Sequence, residues 1–462
     1  EGLSDGFGIS ASSAGDLNND SFSDVIIGSY FHNSGGLASG SAYIYFGGTA
    51  MDNTADLILA GEGSFENFGN SVASAGDMNN DGFSDLIVGA YASDSGGFDA
   101  GRAYIYFGGN PMDNIPDVIF TGEAVVDYFG TSVSSAGDVN NDGFSDVIIG
   151  ANFNEAGGED AGRAYLYFGG TSMDNTADII FESESSLDRF GTDVSSADDV
   201  NNDGFSDVII GASLGGVNAE GKAYLYFGGT AMDNIPDFIF TGESLGDGFG
   251  TSVSSAGDVN KDGFSDIIIG AYHNGANDFN SGRAYIYFGG NPPDNIPDAT
   301  FTGQASSDLF GVSVSSAGDV NNDGFSDMVV GAMGSCAVGY EMGRAYLYAG
   351  GDGISSANDK KNILTEDYQL FPSYPNPFNP ETKITFSLPE NSDINLVVYD
   401  ILGREIITLE NNELASGYYE RSWRGIDASG KQVSSGIYFY RLNARGKSGK
   451  EYSKVMKMVM VK

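Results

Sequence analysis

The sequence predicts an all-β protein whose larger part is a β-propeller of six visible four-stranded blades, or of seven if the ring is N-terminally incomplete. One observation is an internal repeat of about 61 residues, each copy marked by the string DVNNDGFSD or a near copy of it. The string begins at Asp16, Asp77, Asp138, Asp199, Asp258 and Asp319. The other is composition, because 68 glycines, 25 tyrosines and 31 phenylalanines among 462 residues suit many short strands joined by tight turns.

Each repeat has four parts with strand-like patterns. In the third copy, FGTSVSSAGD (residues 129–138) alternates, an acidic loop leads into FSDVIIGA (144–151), and GRAYLYFGG (162–170) is aromatic. A fourth segment, PDVIFTGE in the second copy (116–123), completes the unit. Four short antiparallel strands in each of six repeats indicate propeller blades, since β-solenoid repeats are usually much shorter and separate sandwiches need longer units.

Ring closure has two alternatives. The last repeat ends near Gly351, and residues 363–367 (ILTED) are a weak candidate for its fourth strand. Six blades closed by that segment are one alternative. The chain also opens with EGLSDGFG, which matches GESLGDGFG of residues 242–250 just after a fourth strand. The other alternative is therefore a seven-bladed ring whose first blade is absent from this chain.

The acidic charge is concentrated in the repeats. The chain has 64 acidic and 21 basic residues and a formal net charge of −43. Residues 359–462 hold 14 basic and 13 acidic residues, so residues 1–358 hold 7 and 51, a net charge of −44. Such a surface repels nucleic acid and anionic lipid and attracts cations. Solubility in salty water is the alternative use for part of this charge.

The cysteine count, the apolar runs and the first residue further limit the class of protein. The single cysteine, Cys336, excludes an intramolecular disulfide, and its place in a variable loop favours an incidental residue over a reactive one. No apolar run approaches the ~20 residues needed to span a bilayer. The sequence begins at Glu1 without a leader or an initiator methionine, which predicts either a removed leader or a fragment.

Each repeat carries the spacing D-x-N-x-D-x-x-x-D, with glycine at position 6 in five of the six copies, and this spacing presents side-chain oxygens at loop positions 1, 3, 5 and 9 and a carbonyl at position 7. This all-oxygen set favours calcium over zinc. The predicted side-chain ligands are Asp16, Asn18, Asp20, Asp24, Asp77, Asn79, Asp81, Asp85, Asp138, Asn140, Asp142, Asp146, Asp199, Asn201, Asp203, Asp207, Asp258, Asn260, Asp262, Asp266, Asp319, Asn321, Asp323 and Asp327. The predicted carbonyl ligands are those of Phe22, Phe83, Phe144, Phe205, Phe264 and Phe325.

One such loop could be an acidic Asx-turn, but six copies in register favour up to six calcium ions as structural cofactors. Three carboxylates within nine residues repel one another unless a cation lies between them. The first loop has Ser21 where the others have glycine, so we expect that loop to bind calcium most weakly.

The combination of Phe-Gly, the acidic loop and a following Ile-Ile-Gly-Ala resembles the FG-GAP repeat, found in the propeller of integrin α subunits. In the third copy these are residues 129–130, 138–146 and 148–151, and the resemblance covers residues 1–351. It implies calcium in the loops between the first and second strands of each blade, with ligands usually bound at the opposite face. Family propellers are mostly seven-bladed, so six copies are a departure.

The C-terminal residues resemble a type IX secretion C-terminal sorting domain. The matching segments are residues 373–390, 397–406, 434–442 and 457–462. The resemblance implies a small Ig-like β-sandwich and export by the type IX machinery of a Bacteroidetes-type bacterium to the cell surface or beyond. The predicted domains are a propeller (1–358), a Pro-rich, semi-rigid linker (359–380) and the sorting domain (381–462).

The segments between the second and third strands vary most among the copies. They are residues 29–42, 90–103, 151–164, 212–223, 271–284 and 332–345. Loops on a rigid scaffold often contain the binding residues of a protein, although loops under no constraint also vary in sequence. The candidate ligand-binding residues are Tyr30, Phe31, His32, Tyr91, Phe153, Tyr272, His273 and Tyr340. By contrast, Tyr104, Tyr106 and Phe107 recur at the same places in other blades, which favours packing between blades over sugar stacking.

These observations favour a secreted or cell-surface adhesion or interaction module that binds glycan or protein. One alternative is a structural surface-layer or filament subunit, in which an open ring could support self-assembly. Another is a polysaccharide-degrading enzyme. No catalytic constellation is recognisable, since the two histidines lie in different blades, although the many carboxylates leave a glycosidase pair open. Neither nucleic-acid binding nor a membrane span is expected.

Overall fold

A computed structural model describes residues 5–183, 185–291, 293–334, 343–351, 368–370, 373, 378–380, 382–415 and 417–461. This part of the chain is all β-strand and connecting turns, with 31 strands. Among these residues there is no helix of the length and apolarity that a membrane crossing requires. The chain divides into two compact units, Glu1–Ala357 and Asn358–Lys462.

The first unit consists of six antiparallel sheets in which each strand pairs with the next along the chain. Blade 1 has β1 (Phe7–Gly15), β2 (Asp24–Ser29), β3 (Ser41–Tyr45) and β4 (Leu57–Ala60); blade 2 has β5 (Val72–Gly76), β6 (Asp85–Ala90), β7 (Arg102–Tyr106) and β8 (Val118–Thr121); blade 3 has β9 (Val133–Gly137), β10 (Asp146–Ala151), β11 (Arg163–Tyr167) and β12 (Ile179–Glu182). Blade 4 has β13 (Phe190–Asp198), β14 (Asp207–Ala212), β15 (Lys222–Tyr226) and β16 (Phe238–Thr241); blade 5 has β17 (Phe249–Gly257), β18 (Asp266–Ala271), β19 (Arg283–Tyr287) and β20 (Ala299–Thr302); the described part of blade 6 has β21 (Phe310–Gly318), β22 (Asp327–Ala332) and β23 (Arg344–Tyr348).

The second strand of each of blades 2 to 5 lies between two neighbouring strands of its own sheet and between two neighbouring blades. In blade 3, all six residues of β10 are buried, as the apolar VIIG run predicts. Glycine is required at Gly150, because a Cβ there would lie 2.2 Å from the carbonyl oxygen of Gly191 in the next blade. The prediction of blades packed closely through their central strands is confirmed.

The core is a series of interfaces between neighbouring blades. Between blades 2 and 3, for example, Ile105 and Phe120 pack with Phe129 and Tyr165, and the last two rings meet edge to face at 5.3 Å. Tyr104 is likewise buried against the preceding blade. The prediction that the recurring aromatic residues of the third strand serve packing is therefore confirmed.

The two end blades leave one face each without such a neighbour. Phe7 is 47% exposed, whereas its equivalents in the other five blades are 1% exposed or less. On blade 6, Val320 is 56% exposed and Leu347 is 38% exposed, whereas the equivalents in blade 5, Val259 and Ile286, are fully buried. Blades 6 and 1 therefore do not pack on each other as interior blades do. Residues 363–367, the candidate closing strand, lie outside the described residues.

The second unit contains two sheets, as expected for a β-sandwich. One contains β24 (Gln369–Leu370), β25 (Thr382–Leu388) and β29 (Gly417–Trp423); the other contains β26 (Ser392–Asp400), β27 (Glu405–Glu410), β28 (Glu413–Leu414), β30 (Gly436–Gly446) and β31 (Glu451–Met460). Phe386, Leu396, Trp423 and Tyr440 lie in its buried core. Leu370 and Phe378, within the segment predicted as a linker, also lie in this core, so part of that segment belongs to the folded unit.

Candidate calcium loops and the opposite loop end

The acidic loop of each blade joins its first strand to its second. In blade 3, Asp138 accepts hydrogen bonds from the backbone N–H of Asp142 (3.1 Å, Oδ1) and of Gly143 (2.9 Å, Oδ2). Asn140 Oδ1 accepts a second bond from Asp142 N, and Asp142 Oδ1 accepts one from Phe144 N. The side chains at positions 1, 3 and 5 thus turn inward on a tightly wrapped loop.

The backbone explains the residue types at the tip of this loop. Asn141 and Gly143 both adopt left-handed conformations, with φ of 56° and 92°. Asparagine and glycine tolerate this region best, which accounts for the recurring Asn-Asp-Gly. Ser21 occupies the glycine position of the first loop at φ 73°, a strained conformation for serine.

The aspartate at loop position 9 is buried in every blade; these residues are Asp24, Asp85, Asp146, Asp207, Asp266 and Asp327. Asp146 accepts hydrogen bonds from Val139 N (2.9 Å) and Gly169 N (2.8 Å), so it ties its loop to the turn after the third strand. Burial, reinforced by the nearby carboxylates of Asp142 and Asp138, raises the pKa of Asp146 to about 7 despite these bonds. A cation in the loop would favour its ionised form.

In blades 1 to 5, the acidic loop accepts two backbone hydrogen bonds from the following blade. Ser206 N and Gly229 N of blade 4 donate to the carbonyl oxygens of Asp138 (3.1 Å) and Val139 (2.7 Å) in blade 3. The same pair of bonds recurs at the other interfaces, ending with Ser326 N and Gly351 N of blade 6 on the loop of blade 5. Folding of one blade therefore shapes the acidic loop of the blade before it.

The donor set fits a hard cation. Every predicted ligand is a carboxylate, an amide or a carbonyl oxygen, and the loop already curls around its own backbone N–H groups. In the described part of the chain, no three His, Cys, Asp or Glu side chains converge into a ready-made metal cluster. The carboxylates at positions 1 and 5 accept hydrogen bonds from the loop backbone, so ion binding requires them to turn toward a common centre.

The variable segments lie at the other end of the blade, because they follow the second strand whereas the acidic loops precede it. Several predicted binding residues form a row there. Tyr30 stacks on Phe31 at 3.9 Å between ring centroids, and the Tyr91 ring lies 5.4 Å from that of Tyr128. Burial, together with the nearby Tyr30 and Tyr128 hydroxyls, raises the pKa of Tyr91.

The row continues into blades 3 and 4. Tyr128 meets Phe153 edge to face at 4.9 Å, and the Arg189 guanidinium lies over the Phe153 ring at 4.5 Å. Asn67 Nδ2 donates to the Tyr91 hydroxyl at 2.7 Å. The aromatic row, defined as Tyr30, Phe31, Tyr91, Tyr128, Phe153 and Arg189, thus spans blades 1 to 4.

The remaining candidates lie elsewhere. His32 packs edge-on against Tyr43, with Nδ1 3.1 Å from Ser41 Oγ, within blade 1. Tyr272 and His273 stack at 3.9 Å in blade 5, and no ring contact joins them to the aromatic row in the described ranges. Tyr340, like Cys336, lies outside the described residues.

Sequence reasoning missed Asn67, Tyr128 and Arg189. Each immediately precedes the Phe-Gly of its repeat, and each has a left-handed backbone, with φ between 53° and 55°. Glycine stands there in blades 1 and 5 as Gly6 and Gly248. The residue type before Phe-Gly differs among the six copies, and this variation is visible when the repeats are aligned at that position. It is not visible in the longer loops between the second and third strands.

The architecture is that of a repeat propeller followed by a sorting domain, and the family comparisons agree. The FG-GAP repeat matches residues 7–45, 68–106, 129–167, 190–226, 249–287 and 310–348, about half of the chain. The chain therefore belongs to the FG-GAP repeat family. Residues 373–458 match the secretion system C-terminal sorting domain, which confirms the type IX resemblance.

Curated relatives are integrin α subunits. Integrin alpha-5 of Xenopus laevis is 32% identical over 239 residues, which are 48% of this chain and 21% of the relative. Integrin alpha-8 of Gallus gallus is 31% identical over 178 residues (36% and 16%), and integrin alpha-7 of Mus musculus is 35% identical over 162 residues (34% and 13%). The chain thus spans about a fifth or less of these relatives.

Among solved structures, FLGD from P. Aeruginosa matches 17% of this chain and 61% of its own, at 25% identity. The TM-score of 0.15 is too low to support a structural argument.

Proposed function

We propose that this protein is a secreted or cell-surface adhesion module whose calcium-stabilised propeller binds glycan or protein ligands through the aromatic row. The sorting domain supports delivery through the type IX secretion machinery of a Bacteroidetes-type bacterium to the cell surface or beyond. The observation that carries the ligand-binding proposal is the contiguous contact of Tyr91, Tyr128, Phe153 and Arg189 across three blades.

Calcium is the proposed structural cofactor, with up to six ions, one in each acidic loop. The all-oxygen donor set and the burial of one carboxylate per loop support it. Bound ions would neutralise part of the −44 charge of residues 1–358. If free calcium exceeds the dissociation constant about 100-fold, each site contributes roughly 2.7 kcal/mol to the free energy of unfolding.

The aromatic row suits recognition better than catalysis. Burial raises the pKa of Tyr91 and of Tyr128, so both phenols are protonated at neutral pH and supply ring faces and hydroxyls rather than a base. Tyr128 and Arg189 also hold a backbone conformation unfavourable for bulky side chains. The same conformation recurs at Asn67 and Leu309, so the turn of the repeat sets the backbone at this position while the side chain varies from blade to blade.

A binding array of glycans and matrix proteins tests this function on the full chain in calcium. We expect a confined set of hits, and about tenfold weaker binding after Tyr128→Ala and Phe153→Ala together, given the energy of aromatic contacts. Tyr272→Ala is the matched control, since Tyr272 is an aromatic residue of the same end outside the row. A blank array with folded, calcium-replete protein contradicts the proposal and favours the structural-subunit alternative.

A further inference from the structure

The tip of the acidic loop faces open space in blades 2 to 5 but is covered in blade 6. A Cβ atom added to the tip glycine of the first four loops would meet no atom within 4 Å; these glycines are Gly82, Gly143, Gly204 and Gly263. A Cβ atom on Gly324 of blade 6 would instead collide with the ammonium of Lys261 and would lie 3.5 Å from its Cε. A basic side chain of blade 5 therefore lies on the acidic loop of blade 6.

Lys261 is the residue at position 4 of the acidic loop of blade 5. The other five loops all have asparagine at this position; these residues are Asn19, Asn80, Asn141, Asn202 and Asn322. All six residues have a left-handed backbone, with φ between 56° and 61°. Asparagine tolerates this conformation better than lysine does, so the turn itself does not explain the lysine. What the substitution adds is a longer side chain with a positive charge, which reaches the following blade.

The Lys261 ammonium lies beside the groups predicted to bind the ion of blade 6. It is 5.2 Å from the centroid of the Phe325 ring, a cation–π contact, and Phe325 provides the predicted carbonyl ligand of that loop. Gly324 N, next to the ammonium, donates to Asp319 Oδ2 at 2.8 Å, and Phe325 N donates to Asp323 Oδ1 at 3.0 Å. The positive charge is thus placed at the part of the loop that holds two of its carboxylates.

This charge has opposite effects on the empty and the filled loop. The loop of blade 6 contains three carboxylates, those of Asp319, Asp323 and Asp327, and Lys261 is the only lysine or arginine in any of the six nine-residue loops. In the absence of a metal ion, a nearby ammonium offsets part of the repulsion among the carboxylates. When a divalent cation enters the loop, the same ammonium repels it.

We propose that Lys261 is a built-in counter-ion of the blade 6 loop, which lowers the affinity of that loop for calcium and partly replaces the ion when calcium is scarce. The inference rests on the proposed calcium cofactor and adds that the six sites are unequal. As free calcium rises, the blade 6 loop fills later than the loops of blades 2 to 4, whose tips carry no such charge. Blade 6 accordingly keeps part of its loop structure at calcium concentrations that leave the site empty.

Calcium titration of the full chain, in competition with a chromophoric chelator, tests the effect on affinity. Lys261→Met keeps most of the length of the side chain and removes its charge, and Lys261→Asn introduces the residue of the other loops. We expect both variants to bind one ion about three- to tenfold more tightly, and the gain to shrink in about 1 M salt. Lys261→Arg, which keeps the charge, is the matched control and should bind calcium as the original chain does.

Two further substitutions identify the loop that responds. Asp323→Asn alters the blade 6 loop and should abolish the gain in affinity from Lys261→Met. Asp262→Asn makes the matched change in the loop that contains Lys261 and should leave that gain intact. A gain that persists with Asp323→Asn overturns the inference. So does an unchanged titration of both Lys261→Met and Lys261→Asn in a chain that binds calcium.

Melting in excess EDTA separates this inference from the proposed cofactor. Without calcium, Lys261→Met should lower the melting temperature by about 1 °C, because the carboxylates of Asp319 and Asp323 lose their counter-ion, whereas Lys261→Arg should not. A chain that binds no calcium overturns the proposed cofactor and the effect on affinity, but this shift in EDTA would still support the counter-ion. An unchanged melting temperature of Lys261→Met in EDTA overturns the counter-ion itself.

Discussion

Interior and terminal blades have nearly the same sequence, but equivalent residues are buried to different extents in the two kinds of blade. Val259 and Val320 hold the same position in neighbouring repeats, and only the first is covered by a following blade. The acidic loop beside Val259 is bonded by Ser326 and Gly351, whereas the loop beside Val320 has no such bonds in the described residues. The stability of each repeat therefore resides largely in its interfaces, as in other repeat proteins.

The largest expected difference concerns the Phe of Phe-Gly. Phe129→Ala removes a ring buried between blades 2 and 3 and should lower the free energy of unfolding by roughly 3–5 kcal/mol. Phe7→Ala removes a half-exposed ring, so its cost should stay below about 1 kcal/mol. Urea unfolding of both variants in calcium measures the difference. Equal costs would contradict the view that the face of blade 1 is uncovered.

The buried aspartate of the acidic loop comes next. Asp146→Ala leaves the N–H groups of Val139 and Gly169 without their acceptor and should cost roughly 2–4 kcal/mol. It should also reduce the number of bound calcium ions by one, measured by equilibrium dialysis. Asp327→Ala makes the same change in blade 6, where we expect a smaller loss because the loop is less fastened. A larger loss at Asp327 than at Asp146 would reverse the comparison.

Blade 4 allows a test by pH. Asp193 stands where the other blades have serine, accepting bonds from Ser132 Oγ (2.8 Å) and Val253 N (2.9 Å). Burial raises its pKa to about 6, so the folded state holds this proton more tightly than the unfolded state. The stability that this proton provides is present below about pH 4 and is lost as the pH rises to about 6.

Asp193→Ser should therefore stabilise the protein by roughly 1–3 kcal/mol at pH 7.5 and have little effect at pH 4. A serine there can still accept from Val253 N, as Ser132 accepts from Val194 N. Melting temperatures at the two pH values measure the effect. Ser252→Thr, a change in blade 5 that adds no charge, serves as the control, and a pH-independent effect of Asp193→Ser would refute the electrostatic explanation.

The smallest expected effect concerns the tip of the first loop. Ser21→Gly relieves a left-handed serine and should stabilise the loop by roughly 0.5–1 kcal/mol, with tighter calcium binding at that site. Gly143→Ser introduces the same strain into an interior loop and should weaken it by a similar amount. Calcium titration calorimetry of both variants decides the matter; an unchanged affinity in each would show that the tip conformation does not limit binding.

The sequence predicted the repeat architecture because a period of about 61 residues with recurring strand patterns leaves few alternatives. It also predicted the acidic loops, because all the residues that define each loop lie within nine consecutive positions. The contact of Tyr128 with Tyr91 and Phe153 was not predictable in that way, since it joins blades and depends on a left-handed residue before Phe-Gly. The inward role of Asp146 was also missed, because its partner Gly169 lies 23 residues further on.

The most direct test of the central claim, that cations set the acidic loops, is calorimetric melting of the full chain in calcium and in excess EDTA. The account predicts a large fall in melting temperature in EDTA, restored by added calcium and not by magnesium at the same concentration. Since each filled site contributes roughly 2.7 kcal/mol at about 100-fold excess over the dissociation constant, even three sites would rival a typical domain's stability. The same melting temperature in calcium and in EDTA would contradict it.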